Sequence, residues 1–185
     1  MDRDDLIGAF MSECSERLLA RVTEPVAARG AQAFAHALAH STPLDFVPQL
    51  VDALETLDLV DNVGMGAAFV EVAPLLPWTP THRADDGGVD LALSPLELTR
   101  ELGGFVPGVM YVRPGRQYPL HGHPPHELYL TIAGHADWRW GGHEDFRPVG
   151  PDAVLYNHPR DLHSVIAGDT PLVAFYVLWT DDLVP

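Results

Sequence analysis

Four side chains that can bind a metal or move a proton lie close together in the segment Gly115–Gly134. His121 and His123 come first, and Glu127 and Tyr129 follow. Side chains two residues apart point to the same face of a β-strand, so each pair projects together. The two consecutive prolines between the pairs predict the turn that joins two strands. Two imidazoles and a carboxylate from neighbouring strands are a suitable ligand set for a divalent transition metal.

The spacing of this segment, G-x5-H-x-H-x3-E-x6-G, resembles the first motif of the cupins at every defined position. The resemblance implies a mainly β protein, a cupin β-barrel (jelly roll), with one more histidine ligand from a later strand. Residues Pro159–His163 resemble the second cupin motif, although Asp161 takes the place of its glycine and the histidine comes one residue early. His163 is the favoured ligand because it lies inside the strand-like stretch Leu162–Ile166, and His158 is the alternative.

One divalent ion is therefore expected, zinc or iron first, with manganese or nickel as alternatives. Tyr129 should face the same lumen as Glu127. A free phenol has a pKa of about 10 and is a poor base at neutral pH, but a neighbouring cation lowers that pKa. Tyr129 is thus either a general base or a core tyrosine with a hydrogen-bonded hydroxyl.

A narrower resemblance is to the cupin-type dimethylsulfoniopropionate (DMSP) lyases, through Tyr118-x4-His123-x3-Glu127-x-Tyr129 and a Tyr-x-x-Trp sequence in the last strand. It implies a metal-dependent β-elimination that yields dimethyl sulfide and acrylate. The resemblance implies metal binding by His123, Glu127 and His163, with His121 and Tyr129 as further ligands or neighbours. It also implies Tyr129 and Tyr118 as catalytic residues, and a substrate site that includes Tyr118, His121 and Trp179.

The substrate cation is a sulfonium, which aromatic faces can bind by cation–π attraction. Besides Tyr118 and Trp179, the candidates are Trp138 and Trp140, which strand alternation puts on one face together. Two other functions use the same ligands: a cupin dioxygenase or isomerase acting on another small carboxylate or sugar, and a metal-binding cupin without catalysis. The two tyrosines favour elimination, because oxygen chemistry requires no base of this kind.

The first part of the chain predicts helices. Apolar residues recur at helical spacing over residues 4–28, Gly30 is the predicted stop, and residues 32–40 continue on a second stripe. Thr42–Asp45 has the pattern of a helix start, and Met65–Val72 that of a short helix. His36 and His40 lie four residues apart and lack a third ligand nearby, so a helix surface is the expectation.

Residues 1–80 are therefore predicted to form an α-helical region that packs on the barrel and helps to close its mouth, and residues 81–185 to form the barrel. Arg83–Gly88 is acidic and glycine-bearing and marks the boundary, and Ser94–Glu97 predicts the cap of a short helix ended by Gly103 and Gly104. Short strands between turn residues follow. They are predicted at Val109–Val112, Tyr118–His123, Glu127–Ile132, Ala136–Trp140, Ala153–Tyr156, Leu162–Ile166 and Leu172–Trp179.

Composition limits the partners. The chain has 185 residues and a net charge of −15, which disfavours nucleic acid and anionic membranes and favours a small-molecule substrate. No apolar run long enough to span a bilayer and no secretion signal are apparent, and the single cysteine, Cys14, fits a reducing compartment. A cytoplasmic monomer or homodimer is the expectation.

Overall fold

The N-terminal part is helical in the computed structural model, which describes residues 2–81 and 89–184. The helices are α1 (Arg3–Arg21), α2 (Pro25–Ala39) and α3 (Met65–Val72). The Asp2 side chain caps α1 by accepting from the backbone N–H of Asp5, and the Glu24 side chain caps α2. Proline at the first position of α2 has no N–H to leave unpaired, so it suits this start. None of the described helices is long and apolar enough to cross a membrane.

The prediction that Gly30 ends a helix was wrong. The helical pattern breaks earlier, between α1 and α2, and Gly30 lies buried inside α2. The ring of Trp179 packs on this glycine, where an added Cβ would lie 2.4 Å from Cζ2 of the ring. Gly30 therefore permits a close contact between α2 and the last strand, and its missing side chain is not a stop signal.

The predicted helix after Thr42–Asp45 was also wrong. Pro43 forms an isolated β-bridge with Arg100, and the backbone N–H of Leu44 donates to the carbonyl of Thr99 at 2.8 Å. The segment is held extended by these contacts, and a 3₁₀ helix, Asp52–Leu59, follows. A long-range pairing here prevails over local capping preference, since propensity is a weak determinant when tertiary contacts compete.

In the described part of the chain, ten strands form two antiparallel sheets. They are β1 (Thr79–Pro80), β2 (Leu91–Pro95), β3 (Val106–Val112), β4 (Gln117–His121), β5 (His126–Ala133), β6 (Ala136–Arg139), β7 (Arg147–Val149), β8 (Val154–Asn157), β9 (His163–Ala167) and β10 (Leu172–Trp179). One sheet has the order β1-β2-β3-β10-β5-β8, and the other β4-β9-β6-β7. The seven predicted strands are present with ends shifted by a few residues at most, whereas β1, β2 and β7 were not predicted.

The predicted cap at Ser94 was wrong, since Ser94 and Pro95 end β2 and the Ser94 hydroxyl makes no hydrogen bond with any described residue. Only one 3₁₀ turn, Leu96–Leu98, follows, so the predicted helix does not extend to Gly103.

Two hydrophobic cores lie on opposite faces of the larger sheet. On β10, Val173, Phe175 and Val177 face a core that the helices share, while Ala174 and Tyr176 face a core between the two sheets. This alternation follows from the two-residue period of a strand. The second core is the barrel interior. The division at residues 80 and 81 stays a prediction, and the predicted boundary segment Arg83–Gly88 lies outside the described residues.

Candidate metal centre

Three histidines converge at one end of the barrel interior. His121 ends β4 and pairs directly with His163, the first residue of β9, while His123 lies in the turn before β5. The ring centroids of His121 and His163 are 4.1 Å apart, and those of His123 and His163 are 5.1 Å apart. One ring nitrogen from each histidine lies within 4.8 Å of the others. The three could therefore share one metal ion.

Backbone carbonyls orient all three imidazoles. The Nδ1 atom of His121 lies 2.8 Å from the carbonyl of Pro119, that of His123 lies 3.2 Å from Pro125 O, and that of His163 lies 2.9 Å from Asp161 O. A carbonyl can only accept, so each Nδ1 carries the hydrogen. In the neutral ring, Nε2 is then the atom that can bind a metal, and a metal-binding histidine needs this tautomer and orientation.

Glu127 supplies a carboxylate to the same place. Its side chain is buried, and Oε2 lies 3.1 Å from Nε2 of His123 and 3.1 Å from Nε2 of His163. Burial by itself would raise the pKa of Glu127, but in the metal-free protein the hydrogen bonds and positive charge of His123 and His163 in their protonated form outweigh it and lower the pKa to about 2. The carboxylate is thus ionised at neutral pH.

The donor set fits a divalent cation. Nε2 of His163 is buried and makes no hydrogen bond of proper geometry with any described residue, although Glu127 Oε2 is close. With metal–ligand distances of about 2.1 Å, two ligands of one ion lie roughly 3.0–3.4 Å apart, which matches the 3.1 Å separations here. A divalent ion at this place would accept the lone pairs of these nitrogen and oxygen atoms together. Histidine and carboxylate ligands suit zinc, iron, manganese or nickel.

A small cavity of about 120 Å³ adjoins this cluster. Polar and aromatic side chains form most of its wall, and two leucines complete it: Leu93, Tyr118, His121, Glu127, Tyr129, Tyr176 and Leu178. Pockets for drug-sized ligands are usually about 300–1,000 Å³. This one therefore suits a ligand of only a few heavy atoms.

Tyr129 lies deep in the cavity wall. Its ring centroid is 5.0 Å from that of Trp138 and 6.2 Å from those of His163 and Tyr176. Burial first, and then the negative charge of Glu127, raise the pKa of Tyr129 well above its ordinary value. In the protein alone the phenol is thus protonated, and only a nearby positive charge would favour the phenolate.

Comparisons with known proteins find similar chains. Residues 97–174 fit the model of the dimethylsulfoniopropionate lyase family. The chain is 28% identical, over 77% of its length and 74% of the relative's, to the dimethylsulfoniopropionate lyase DddQ of Ruegeria pomeroyi. Both matches show that the chain is similar to proteins described as DMSP lyases.

Two solved structures share the fold of this chain. The crystal structure of DddQ from Ruegeria pomeroyi DSS-3 superposes with a TM-score of 0.76 at 21% identity, over 96% of this chain and 93% of that one. A crystal structure described for the DMSP lyases RdDddP and RnDddQII superposes with a TM-score of 0.79 at 15% identity, over 97% of this chain and 94% of that one. They confirm the cupin barrel with its helical N-terminal region.

The fold brings most of the predicted site residues together. His121, Glu127 and Tyr129 line the cavity, and Tyr118 lies beside them with its ring 4.3 Å from that of His121. His163 joins the cluster, whereas the alternative ligand His158 is exposed and packs on Tyr156.

Trp179 does not line the cavity. It lies on the helix-facing side of β10, with its ring stacked 5.2 Å from that of His126. Tyr176 occupies the cavity side of the same strand, directly opposite Tyr129. The prediction overlooked Tyr176, although it lies three residues before Trp179 and strand alternation therefore puts the two on opposite faces.

The other tryptophan and histidine candidates do not line the cavity. Trp138 is buried in the barrel core, while Trp140 lies partly exposed under the guanidinium of Arg147. His36 and His40 stack on the surface of α2, and no third ligand joins them in the described part of the chain. The expectation that the helical region helps to close the barrel mouth stays a prediction; the described residues that line the cavity lie between residues 93 and 178.

Proposed function

We propose that the protein is a metal-dependent lyase that cleaves DMSP to dimethyl sulfide and acrylate, with Tyr129 as the base. The observation that carries the proposal is one small cavity in which a buried phenol, a carboxylate and an imidazole meet at the edge of a histidine cluster. That arrangement offers a place for the substrate carboxylate and a proton acceptor for the carbon beside it.

The proposed ligands are His123, Glu127 and His163, with His121 at the cavity wall as a further ligand or a substrate contact. Bound there, a divalent ion would hold the substrate carboxylate, stabilise negative charge as it develops and lower the pKa of the neighbouring phenol. Zinc or iron is proposed first, and manganese or nickel as alternatives.

Tyr129 is proposed to remove a proton from the carbon next to the carboxylate. The electron pair of that C–H bond becomes the carbon–carbon double bond, and the C–S bond breaks with its pair on sulfur. Neutral dimethyl sulfide leaves, acrylate remains, and the proton stays on the phenol until solvent removes it. Such proton transfer by a positioned side chain typically contributes about 10²–10⁴-fold in rate.

The rest of the wall suits a sulfonium group. Tyr118 and Tyr176 present aromatic rings to the cavity, and Leu93 and Leu178 add apolar surface. A cation over an aromatic face gains about 0.5–2 kcal/mol when water is excluded. The aromatic rings attract a cation without forming an ion pair. The sulfonium end of the zwitterion can therefore lie against these rings while the substrate carboxylate faces the histidines.

Headspace detection of dimethyl sulfide tests the proposal. Purified protein is stripped with a chelator, reloaded with zinc, iron, manganese or nickel, and given DMSP. We expect equimolar dimethyl sulfide and acrylate from at least one loaded form and none from the stripped form. Stoichiometric metal without product would instead favour a cupin of another chemistry, and product from the stripped form would refute metal dependence.

A further inference from the structure

Asn157 is a fully buried polar residue that contacts the carboxylate of Glu127. It ends β8, and β5 pairs with β8 so that Glu127 and Asn157 are direct cross-strand partners. Nδ2 of Asn157 donates to Oε2 of Glu127 at 3.2 Å. Its side-chain oxygen, Oδ1, accepts from the backbone N–H of Gly141 at 2.9 Å. Both ends of the amide are thus occupied inside the protein.

The bond to Gly141 decides which way the amide points. A backbone N–H only donates, so the side-chain oxygen must face Gly141 and the NH₂ group must face Glu127. Gly141 lies in the turn after β6 and has a φ of +59°, in the left-handed region that favours glycine. In this turn its backbone N–H donates to the Asn157 oxygen. A hydrogen bond from a neutral amide to an ionised carboxylate is among the stronger kinds in proteins.

The oxygen of Glu127 that Asn157 holds is the same one that approaches the histidines. Oε2 lies 3.1 Å from Nε2 of both His123 and His163. Without the amide, the carboxylate could rotate about its last side-chain bond, since torsions of this type are soft. One donor from β8 therefore limits the carboxylate to the orientation in which it faces both imidazoles.

We propose that Asn157 is a positioning residue, which holds Glu127 in its metal-binding orientation and ties that orientation to the turn at Gly141. The inference rests on the proposed metal centre. Partners that orient metal ligands typically contribute about 10–100-fold in metal affinity. We therefore expect Asn157→Leu and Asn157→Ala to bind metal about 10–100-fold more weakly than the wild-type chain.

Titration of the metal-free full-length chain with Co²⁺, followed by its visible absorption, measures this directly. The matched control is Thr131→Val on the same strand as Glu127, which removes buried hydrogen bonds to Gly150 and Ala153 away from the cluster. We expect the control to bind Co²⁺ as tightly as wild type with an unchanged spectrum. Equal affinity in the Asn157 variants, or an equal loss in the control, would overturn the inference while the metal centre stands. If the wild-type chain binds no Co²⁺, the metal centre itself fails and this inference with it.

A second measurement needs no variant. The chain contains two asparagines, Asn62 and Asn157, and Asn62 is exposed. Labelling asparagine with ¹⁵N therefore yields two pairs of side-chain amide signals by NMR, and the Asn62 pair is an internal control. One equivalent of Zn²⁺ should shift the slowly exchanging Asn157 pair and leave the Asn62 pair in place. Zn²⁺ that binds stoichiometrically and moves neither pair would contradict the proposed contact.

Discussion

Replacing Tyr129 with phenylalanine removes the proposed base and almost nothing else. The ring contacts with Trp138 and Tyr176, at centroid distances of 5.0 and 6.2 Å, do not involve the hydroxyl. Loss of a general base typically lowers the rate by about 10²–10⁴-fold, which at 1.36 kcal/mol per decade raises the barrier by about 3–5 kcal/mol. We expect this loss in kcat with a much smaller change in KM, because the substrate carboxylate and sulfonium still have their proposed partners.

Stability should change far less than activity. A buried hydroxyl that loses one hydrogen bond costs about 1 kcal/mol, which for a chain of this size is a shift of about 2–4 °C in Tm. Headspace chromatography gives kcat and KM for metal-loaded protein, and elemental analysis gives the metal content. Tyr156→Phe is the matched control, since it removes a phenol that lies 2.6 Å from His126 on the other face of the same sheet.

Three results separate the alternatives for Tyr129. Full activity in Tyr129→Phe would refute the base. A loss of activity accompanied by loss of metal would instead identify the phenol as a ligand. An equal loss in Tyr156→Phe would mean that both changes act through stability, which the Tm values would reveal.

Three further predictions follow from the site and its supports. His163→Ala should lose bound metal on dialysis while His158→Ala retains as much as wild type, and the reverse pattern would reassign the ligand. The pKa of Glu127 falls from the ordinary 4.5 to about 2 on folding, so its ionised form stabilises the metal-free fold by about 3 kcal/mol above pH 4.5. That stabilisation is lost as the pH falls from about 4.5 to about 2. Over this range the Tm of Glu127→Gln should therefore vary less with pH than the Tm of the wild-type chain. Parallel plots of Tm against pH for the two proteins would argue against the pKa shift of Glu127. Gly30→Ala should lower Tm by a few degrees, because its Cβ would lie 2.4 Å from the tryptophan ring packed on it. The Cβ of Gly8→Ala would meet only the flexible guanidinium of an arginine, at 3.2 Å. The Tm of this control should equal or exceed that of wild type, and a larger fall in Tm for Gly8→Ala than for Gly30→Ala would contradict the packing argument.

The sequence alone predicted those elements and site residues whose pattern is a short periodic repeat or a fixed spacing along one hairpin. The seven predicted strands and α3 are present, because alternation and turn residues act over a few residues. The spacing of His121, His123 and Glu127 likewise predicted a cluster that one turn brings together. His163 was predicted from a weaker motif, and the direct pairing of β4 with β9 brings it to the same place.

Local sequence failed where a distant segment decides the outcome. Thr42–Asp45 has the residues of a helix start, yet pairing with Arg100 holds it extended. Gly30 has the character of a stop, yet it is the contact point for a ring far along the chain. In both cases contacts that form only in the folded chain outweigh propensities of about 1 kcal/mol or less per residue.

The chemistry of this protein is therefore encoded at two levels. The residue types and the two-residue strand period determine that a histidine–carboxylate cluster and a phenol can share one face. Only the tertiary structure decides that Tyr176, and not Trp179, completes the wall, and that Asn157 reaches Glu127 across the sheet. The physical reason is register: which residues oppose each other depends on how β10 and β8 align with β5, and no local pattern specifies that alignment.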